Sequence, residues 1–224
     1  MTTTRAPYII PWAGEITLPE PLMITPGGVF YVDPRVDQRH RDDDDVLWEA
    51  CGGQQTGPRI YALLHPARQR EAMRNLLCAT CGGPASRNAD GMLWLMPLLA
   101  GPPAEGTTWE GVQTTIPPSC EPCADRVTAG CPWLRDGHVR LRARVAEQIG
   151  VRGTRYSRTG QPSLAEDDDA LVLYDSPDAR YVVARHAVRE LGWVAVEAVV
   201  TAATTPSGAA CPYAGVALAD GVSA

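Results

Sequence analysis

The sequence contains no lysine, so all 20 of its basic residues are arginines. Alanine, glycine and proline are abundant, a composition expected from a gene of very high GC content. The net charge is −6, which argues against a protein whose affinity comes mainly from neutralising many phosphates. The charges are unevenly placed, because residues 135–158 carry seven arginines and residues 33–49 carry seven acidic residues. The chain is therefore dipolar along its sequence.

Long apolar runs are also missing. No run approaches the roughly 18 residues that a membrane-spanning helix needs. The N-terminus has no apolar run followed by the small-residue cleavage site of a signal peptide. We therefore expect a cytoplasmic protein that makes no membrane contact. With 224 residues, the chain is long enough for one core of ordinary size but hardly for two full domains.

The common catalytic motifs are absent as well: the sequence has no GxSxG, no P-loop, no GxGxxG before a helix and no HExxH. The four histidines are scattered at His40, His65, His138 and His186, and none has a nucleophile and an orienting group in its sequence context. The sequence therefore favours a binding protein over an enzyme. The enzyme hypothesis would need a pocket that brings His65 or His138 beside a carboxylate and a nucleophile.

Two CxxC pairs account for four of the seven cysteines: Cys78 with Cys81, and Cys120 with Cys123. In a chain without an export signal, such pairs favour metal binding over disulfides. Each pair is a chelate on a tight turn, so two pairs in one chain predict a closed site for one structural Zn²⁺. Four thiolates leave no coordination position for water, and we expect this site to support the fold rather than to catalyse a reaction.

The residues around the two pairs predict a treble-clef-like zinc module. A turn at residues 88–91 precedes a strand over 92–96, and the second pair opens a helix. A treble-clef module has this order: a knuckle with the first cysteine pair, a hairpin, and a second pair at the start of a helix. Cys131 or His65 is an alternative to one of the four ligands, although neither belongs to a chelating pair. Residues 78–131 contain no histidine for a second, catalytic metal, which excludes the nuclease form of the module.

The predicted fold class is α+β, with a mixed sheet, a few helices and an extended proline-rich N-terminal arm. Pro66 predicts a helix over 66–77, and Ser176 and Pro177 predict a second helix that Gly192 closes. His186 would lie on the apolar face of that second helix as a core histidine. Predicted strands cover 29–32, 59–64, 139–145, 170–174 and 193–200.

The predicted organisation has four parts. They are an arm with an acidic loop over 1–58, the zinc module with its preceding helix over 59–135, an α+β part packed on that module over 136–202, and a flexible tail over 203–224.

Six arginines are candidate contacts for a partner or for nucleic acid. They can face phosphates or an acidic protein surface, or they can form an ordinary solvated sheet face. The overall acidity favours a protein partner, with nucleic acid as a secondary contact. The six residues are Arg140, Arg142, Arg144, Arg152, Arg155 and Arg158.

The chain resembles small paired-cysteine proteins of Streptomyces and their phages over about residues 60–200. The resemblance rests on IPWAGEIT (10–17), PGGV (26–29), DQRHRD (37–42), RQREAMR (68–74), CATCG (78–82), LWL (93–95) and PPSCEPCA (117–124). The best-understood proteins of this kind are recombination directionality factors of temperate phages. The resemblance implies a non-enzymatic protein that binds a large serine integrase, switches it from integration to excision, and meets DNA only through that partner.

A zinc-containing DNA-binding transcriptional regulator of phage or host is the alternative that the residues leave open. It would use the zinc module and the six arginines directly. Neither hypothesis includes a small-molecule substrate.

Overall fold

The fold was taken from a computed structural model. The structure describes residues 7–18, 20–98, 106–131, 134, 137–158 and 165–201. The predicted tail over 203–224 lies outside the described residues.

The described residues form three α-helices, one 3₁₀ turn and eleven strands. In chain order they are β1 (Glu15–Thr17), β2 (Leu22–Thr25), β3 (Gly28–Tyr31), α1 (Pro34–His40), β4 (Leu47–Trp48), β5 (Cys51–Gly53), α2 (Pro66–Asn75), β6 (Arg87–Asn88), β7 (Gly91–Pro97), β8 (Val112–Thr114), α3 (Glu121–Gly130), β9 (Gly137–Tyr156), β10 (Ala165–Leu173), the 3₁₀ turn (Ala179–Tyr181) and β11 (Val182–Thr201).

Two long antiparallel strands, β9 and β11, form the centre of the main sheet. The other edge of β9 pairs first with β7 and then with β10. The other edge of β11 pairs with β4 and β8, and the pairing with β4 is parallel. Strand β6 extends the sheet beyond β7. The sheet is therefore mixed, and the predicted α+β class with a few helices is confirmed.

Strand β7 is buried on both faces, and its side chains alternate between two cores. Met92, Trp94 and Met96 belong to the main core, to which α2 contributes Met73. Leu93 and its neighbour Leu95 pack on the opposite face against Ala124 of α3. The two longer helices thus lie on opposite faces of this part of the sheet.

The described part of residues 1–58 is folded onto the core. Strand β1 pairs with β5, and β2 pairs with β3 in a hairpin. Val29 and Tyr31 are buried together with Leu47 and Val183 of the main sheet. Prolines do exclude a long helix here, since α1 has seven residues and starts at Pro34. The predicted extended arm is not confirmed as such, since the described part of this segment forms short strands whose apolar side chains pack on the core.

The first predicted helix is confirmed as α2, with Pro66 in its first turn. His65 is the N-cap, and its Nδ1 accepts a hydrogen bond from Arg68 N at 3.4 Å. Leu76 ends the helix in the left-handed conformation, with φ 53°. The adjacent prediction of a strand over 59–64 was wrong, because this segment is a loop of which only Leu64 is buried.

The second predicted helix, over residues 177–191, was also wrong. Only Ala179–Tyr181 is helical, as a 3₁₀ turn, and strand β11 runs from Val182 through Gly192 to Thr201. Its pairing with β9 shifts between Ala184 and His186 and again after Val188. The first shift adds Arg185 to β11, which breaks the two-residue alternation of this strand and produces a spacing of apolar residues that imitates a helix.

Candidate metal centre

The first cysteine pair lies on a tight turn directly after α2. Cys78 N donates to Gly83 O at 2.7 Å, and Gly82 N donates to Cys78 O at 2.9 Å. Gly82 has φ +71°, and a Cβ at this position would lie 3.1 Å from the ring of Tyr8. The turn therefore needs glycine for its backbone conformation and for its close packing against the N-terminal segment.

The second pair lies at the start of α3, where Cys120 is the N-cap residue. Cys123 N donates to Cys120 O at 3.0 Å, so both thiols project from the first turn. Glu121 N donates to Ser86 Oγ at 2.9 Å, and Ala79 N donates to Pro118 O at 2.9 Å. These bonds join the helix start to the first knuckle and to the segment leading into β6.

The four thiols converge on one point. Every Sγ atom of Cys78, Cys81, Cys120 and Cys123 lies within 4.8 Å of the others. The Sγ atoms of Cys81 and Cys120 are 3.8 Å apart, too far for a disulfide, whose S–S bond is about 2.05 Å. A tetrahedral ion with metal–sulfur bonds of about 2.3 Å gives sulfur–sulfur edges of about 3.8 Å. The cluster therefore fits a four-coordinate metal ion.

The surroundings of Cys120 and Cys123 affect the ionisation of these thiols in opposite directions. Burial raises the pKa of the Cys120 and Cys123 thiols. The Arg126 guanidinium donates to Cys123 Sγ at 3.1 Å, and the helix start adds a positive potential, so both favour the thiolate. A soft divalent cation is the further positive charge that four adjacent thiolates need.

Neither alternative ligand belongs to the cluster. His65 caps α2, with its Nε2 3.8 Å from Glu15 Oε1. Cys131, at the C-terminal end of α3, packs against the core formed by Leu93, Leu95, Ala124 and Leu134. Within the described part of the chain, three or more His, Cys, Asp or Glu side chains lie close enough to share a metal ion in one place, the four predicted cysteines.

The six candidate contact arginines lie beside carboxylates. Arg140 binds Glu121 and Asp125, and Arg142, only 3% exposed, binds Glu121 and Glu197. The others have longer or more exposed pairs: Arg144 with Asp90 at 3.9 Å, Arg152 with Asp169 at 3.0 Å, Arg155 with Asp178 at 3.5 Å and Arg158 with Asp178 at 2.6 Å. Arg140 and Arg142 thus attach the start of α3, and with it the second cysteine pair, to the sheet.

A separate cavity of about 330 Å³ lies between the N-terminal segment, the 60–66 loop and β11. It brings His65 near the Glu15 carboxylate and the Cys51 thiol, the combination that the enzyme hypothesis would need. Burial and the nearby Glu49 and Glu15 charges raise the pKa of Cys51 to about 11, so the thiol is neutral and a poor nucleophile at neutral pH. His138 lies elsewhere, with Nδ1 2.8 Å from Leu134 O.

Sequence reasoning missed this cavity because its residues come from four distant segments without a common motif. No family model, curated protein or solved structure matches the chain. In the described ranges, none of the helices has the length and apolarity needed to cross a membrane.

Proposed function

We propose that Cys78, Cys81, Cys120 and Cys123 hold one structural Zn²⁺ in a treble-clef-like module. The four thiols, their spacing and the order of knuckle, hairpin and helix start support zinc over harder ions, which prefer oxygen ligands. Zinc would hold the knuckle, the hairpin and α3 together. It would have no open position for a substrate or for water.

We further propose that this scaffold belongs to a non-enzymatic regulator that binds a large serine integrase in the bacterial cytoplasm and switches it from integration to excision. The partner class comes from the sequence resemblance to the paired-cysteine proteins of Streptomyces phages. The structural observation that carries the non-catalytic part is the closed four-thiol cluster. The net charge of −6 suits a ligand of a basic, DNA-bound recombinase.

Direct DNA binding is the second candidate, and the arginine contacts disfavour it. A phosphate would have to compete with Glu121, Asp125 and Glu197 for Arg140 and Arg142. The attraction of DNA for arginines neutralised in this way is small.

The test is a recombination assay with purified integrase and attachment-site DNA. We expect the protein to permit recombination of attL with attR and to depress recombination of attP with attB. The Cys120→Ser variant should lose both effects, whereas Cys131→Ser, outside the cluster, should keep them. No effect of the wild-type protein on either reaction would refute the integrase proposal. A gel shift without integrase that weakens steeply with salt would support the DNA-binding candidate instead.

A further inference from the structure

The cavity beside the N-terminal segment has a polar end and an apolar wall. Glu49, directly after β4, and two consecutive residues of β11, Arg185 and His186, supply polar side chains. The apolar wall is contributed mainly by Pro11, Ile60, Leu63, Leu64 and Pro66. A volume of about 330 Å³ is at the lower end of the range for small-molecule sites.

An irregularity in β11 brings Arg185 and His186 to the same cavity. Consecutive side chains of a regular strand point to opposite faces of the sheet. Here Ala184 pairs with Gly153 and His186 pairs with the preceding Arg152, so Arg185 is the extra residue of a bulge. A bulge redirects a side chain locally and is common next to binding sites.

One guanidinium nitrogen at this end lacks the partner that a buried polar atom normally has. No hydrogen bond or ion pair within 4 Å joins the Glu49 carboxylate to Arg185, although the two residues lie side by side where β4 meets β11. Arg185 Nε is buried without a hydrogen-bond partner. Leaving a buried nitrogen unpaired costs free energy, so its position at a cavity that the unjoined Glu49 carboxylate also lines points to a ligand.

We propose that this cavity binds a small zwitterion with an apolar side chain, of the size of a hydrophobic amino acid. The ligand's ammonium group would pair with Glu49. Its carboxylate would pair with Arg185 and accept a hydrogen bond from the imidazole of His186. Its side chain would lie against the 60–66 loop. Glu49 and Arg185 carry opposite charges that are close together but not paired. Such a site suits a ligand with both a positive and a negative group better than it suits a simple anion or a simple cation. This proposal goes beyond the proposed function and does not depend on it.

The chemistry of the surroundings supports each of these contacts. Burial raises the pKa of Glu49, so an adjacent ammonium group would stabilise its ionised form. Burial lowers the pKa of His186 to about 4, and the ring is therefore neutral at pH 7 and able to donate a hydrogen bond from one nitrogen. The ion pair of Glu15 with Arg68 already satisfies the other carboxylate of the cavity.

The first experiment varies the ligand and leaves the full-length protein unchanged. Isothermal titration with L-leucine should show saturable one-to-one binding. N-acetyl-leucine lacks the ammonium group and leucinamide lacks the carboxylate, so each should bind at least tenfold more weakly. Glycine, which lacks the apolar side chain, should also bind at least tenfold more weakly. The proposal is overturned if leucine shows no saturable binding up to about 5 mM, or if both blocked forms bind as tightly as leucine.

The second experiment assigns the two charges to residues. Glu49→Gln should weaken leucine binding at least tenfold while leaving the affinity for N-acetyl-leucine nearly unchanged. Arg185→Gln should also weaken leucine binding at least tenfold, while leaving the affinity for leucinamide nearly unchanged. Arg144→Gln, on the same sheet but outside the cavity, is the matched control and should bind leucine normally. Circular dichroism establishes that each variant is folded, and a leucine affinity equal to that of the wild type in folded Glu49→Gln or in folded Arg185→Gln would refute the assignment.

Discussion

Gln69 of α2 takes the place of a neighbouring strand on the edge of β11. Its Nε2 donates to Ala187 O at 2.9 Å and to Thr115 O at 2.7 Å, and its Oε1 accepts from Ala187 N at 2.9 Å. Ala187 lies between the residues that pair with β4 and those that pair with β8. The side-chain amide thus satisfies a stretch of backbone that has no partner strand, and the whole side chain is buried.

Replacing this amide should be costly. Gln69→Leu keeps an apolar side chain of similar size but leaves the Ala187 and Thr115 backbone groups buried without partners. We expect a loss of about 2–4 kcal/mol in the free energy of unfolding, measured by urea titration. Gln55→Leu, at an exposed position, should change it by less than about 0.5 kcal/mol. Equal stabilities of the two variants would show that the bonds to Ala187 contribute nothing net.

Glu15 and Arg68 form the second buried polar contact at this scale, and it predicts a pH dependence. Both carboxylate oxygens accept from the guanidinium, at 2.6 and 2.7 Å. The hydrogen bonds from Arg68 lower the pKa of Glu15 from 4.5 to about 2. Since the folded pKa lies below the ordinary value, the contribution to stability is fully present above pH 4.5 and is lost as the pH falls towards 2.

The measurement compares wild type with Glu15→Gln by urea unfolding at several pH values. The difference in unfolding free energy should be on the order of 3 kcal/mol near neutral pH and should shrink as the pH falls from 4.5 towards 2. Asp44→Asn, in an exposed loop, should show no comparable change over this range. A difference between wild type and Glu15→Gln that stays constant down to pH 2 would contradict the assignment.

At the scale of elements, the sequence was informative wherever the structure is locally determined. Pro66 and the helix-favouring residues after it predict α2, and the cysteine pairs predict the cluster from their own spacing. Strand β11 could not be predicted in the same way. Val182, Val183 and Ala187 share a helical face in sequence, yet Val182 and Val183 pack in different cores on opposite faces of β11. Ala187 joins Val182 in the main core because a bulge in the pairing with β9 shifts the alternation after Ala184. That bulge depends on contacts with a distant strand, which local spacing does not contain.

Gly153 is the residue of β9 that accommodates the bulge. A Cβ placed there would lie under 3.0 Å from the Val183 carbonyl oxygen and from Ala184 Cα, and backbone atoms cannot yield as a flexible side chain can. Gly153→Ala should therefore shift β11 and cost about 2–3 kcal/mol by urea unfolding. Gly106→Ala, where a Cβ meets no atom within 4 Å, is the matched control, although its φ of +80° carries a cost of its own of about 1 kcal/mol. Equal losses in the two variants would exclude a steric role for Gly153.

For the whole molecule, the cysteine cluster joins parts of the chain that are otherwise held together by few bonds. The knuckle accepts backbone hydrogen bonds from Tyr8 and Ile9, and the start of α3 is attached to the sheet through Arg140 and Arg142. The main core, in contrast, is built from β7, β9, β11 and α2. We therefore expect the metal to stabilise the module and the N-terminal segment more than the centre of the sheet.

Hydrogen exchange measures this difference. Adding a chelator should speed amide exchange at residues 78–83 and 119–124 at least tenfold, while residues 139–143 and 182–188 keep most of their protection. Cys78→Ser should give the same pattern and lose its zinc, and Cys131→Ser should retain one zinc ion per chain by elemental analysis. Uniform exchange throughout the chain after chelation would show instead that the molecule unfolds as one unit.

The pairing of β9 with β11 also predicts which end of this strand pair forms first during folding. Arg155 and Val182 close the shortest loop between the two strands, and Gly137 and Thr201 close the longest. Because the entropic cost of closure grows with loop length, we expect the strands to pair first at Arg155 and last at the end that carries Arg140 and Arg142. The proposed zinc site lies next to this late-forming end, because the start of α3 carries Cys120 and Cys123. Bound zinc should therefore lower the unfolding rate without accelerating refolding.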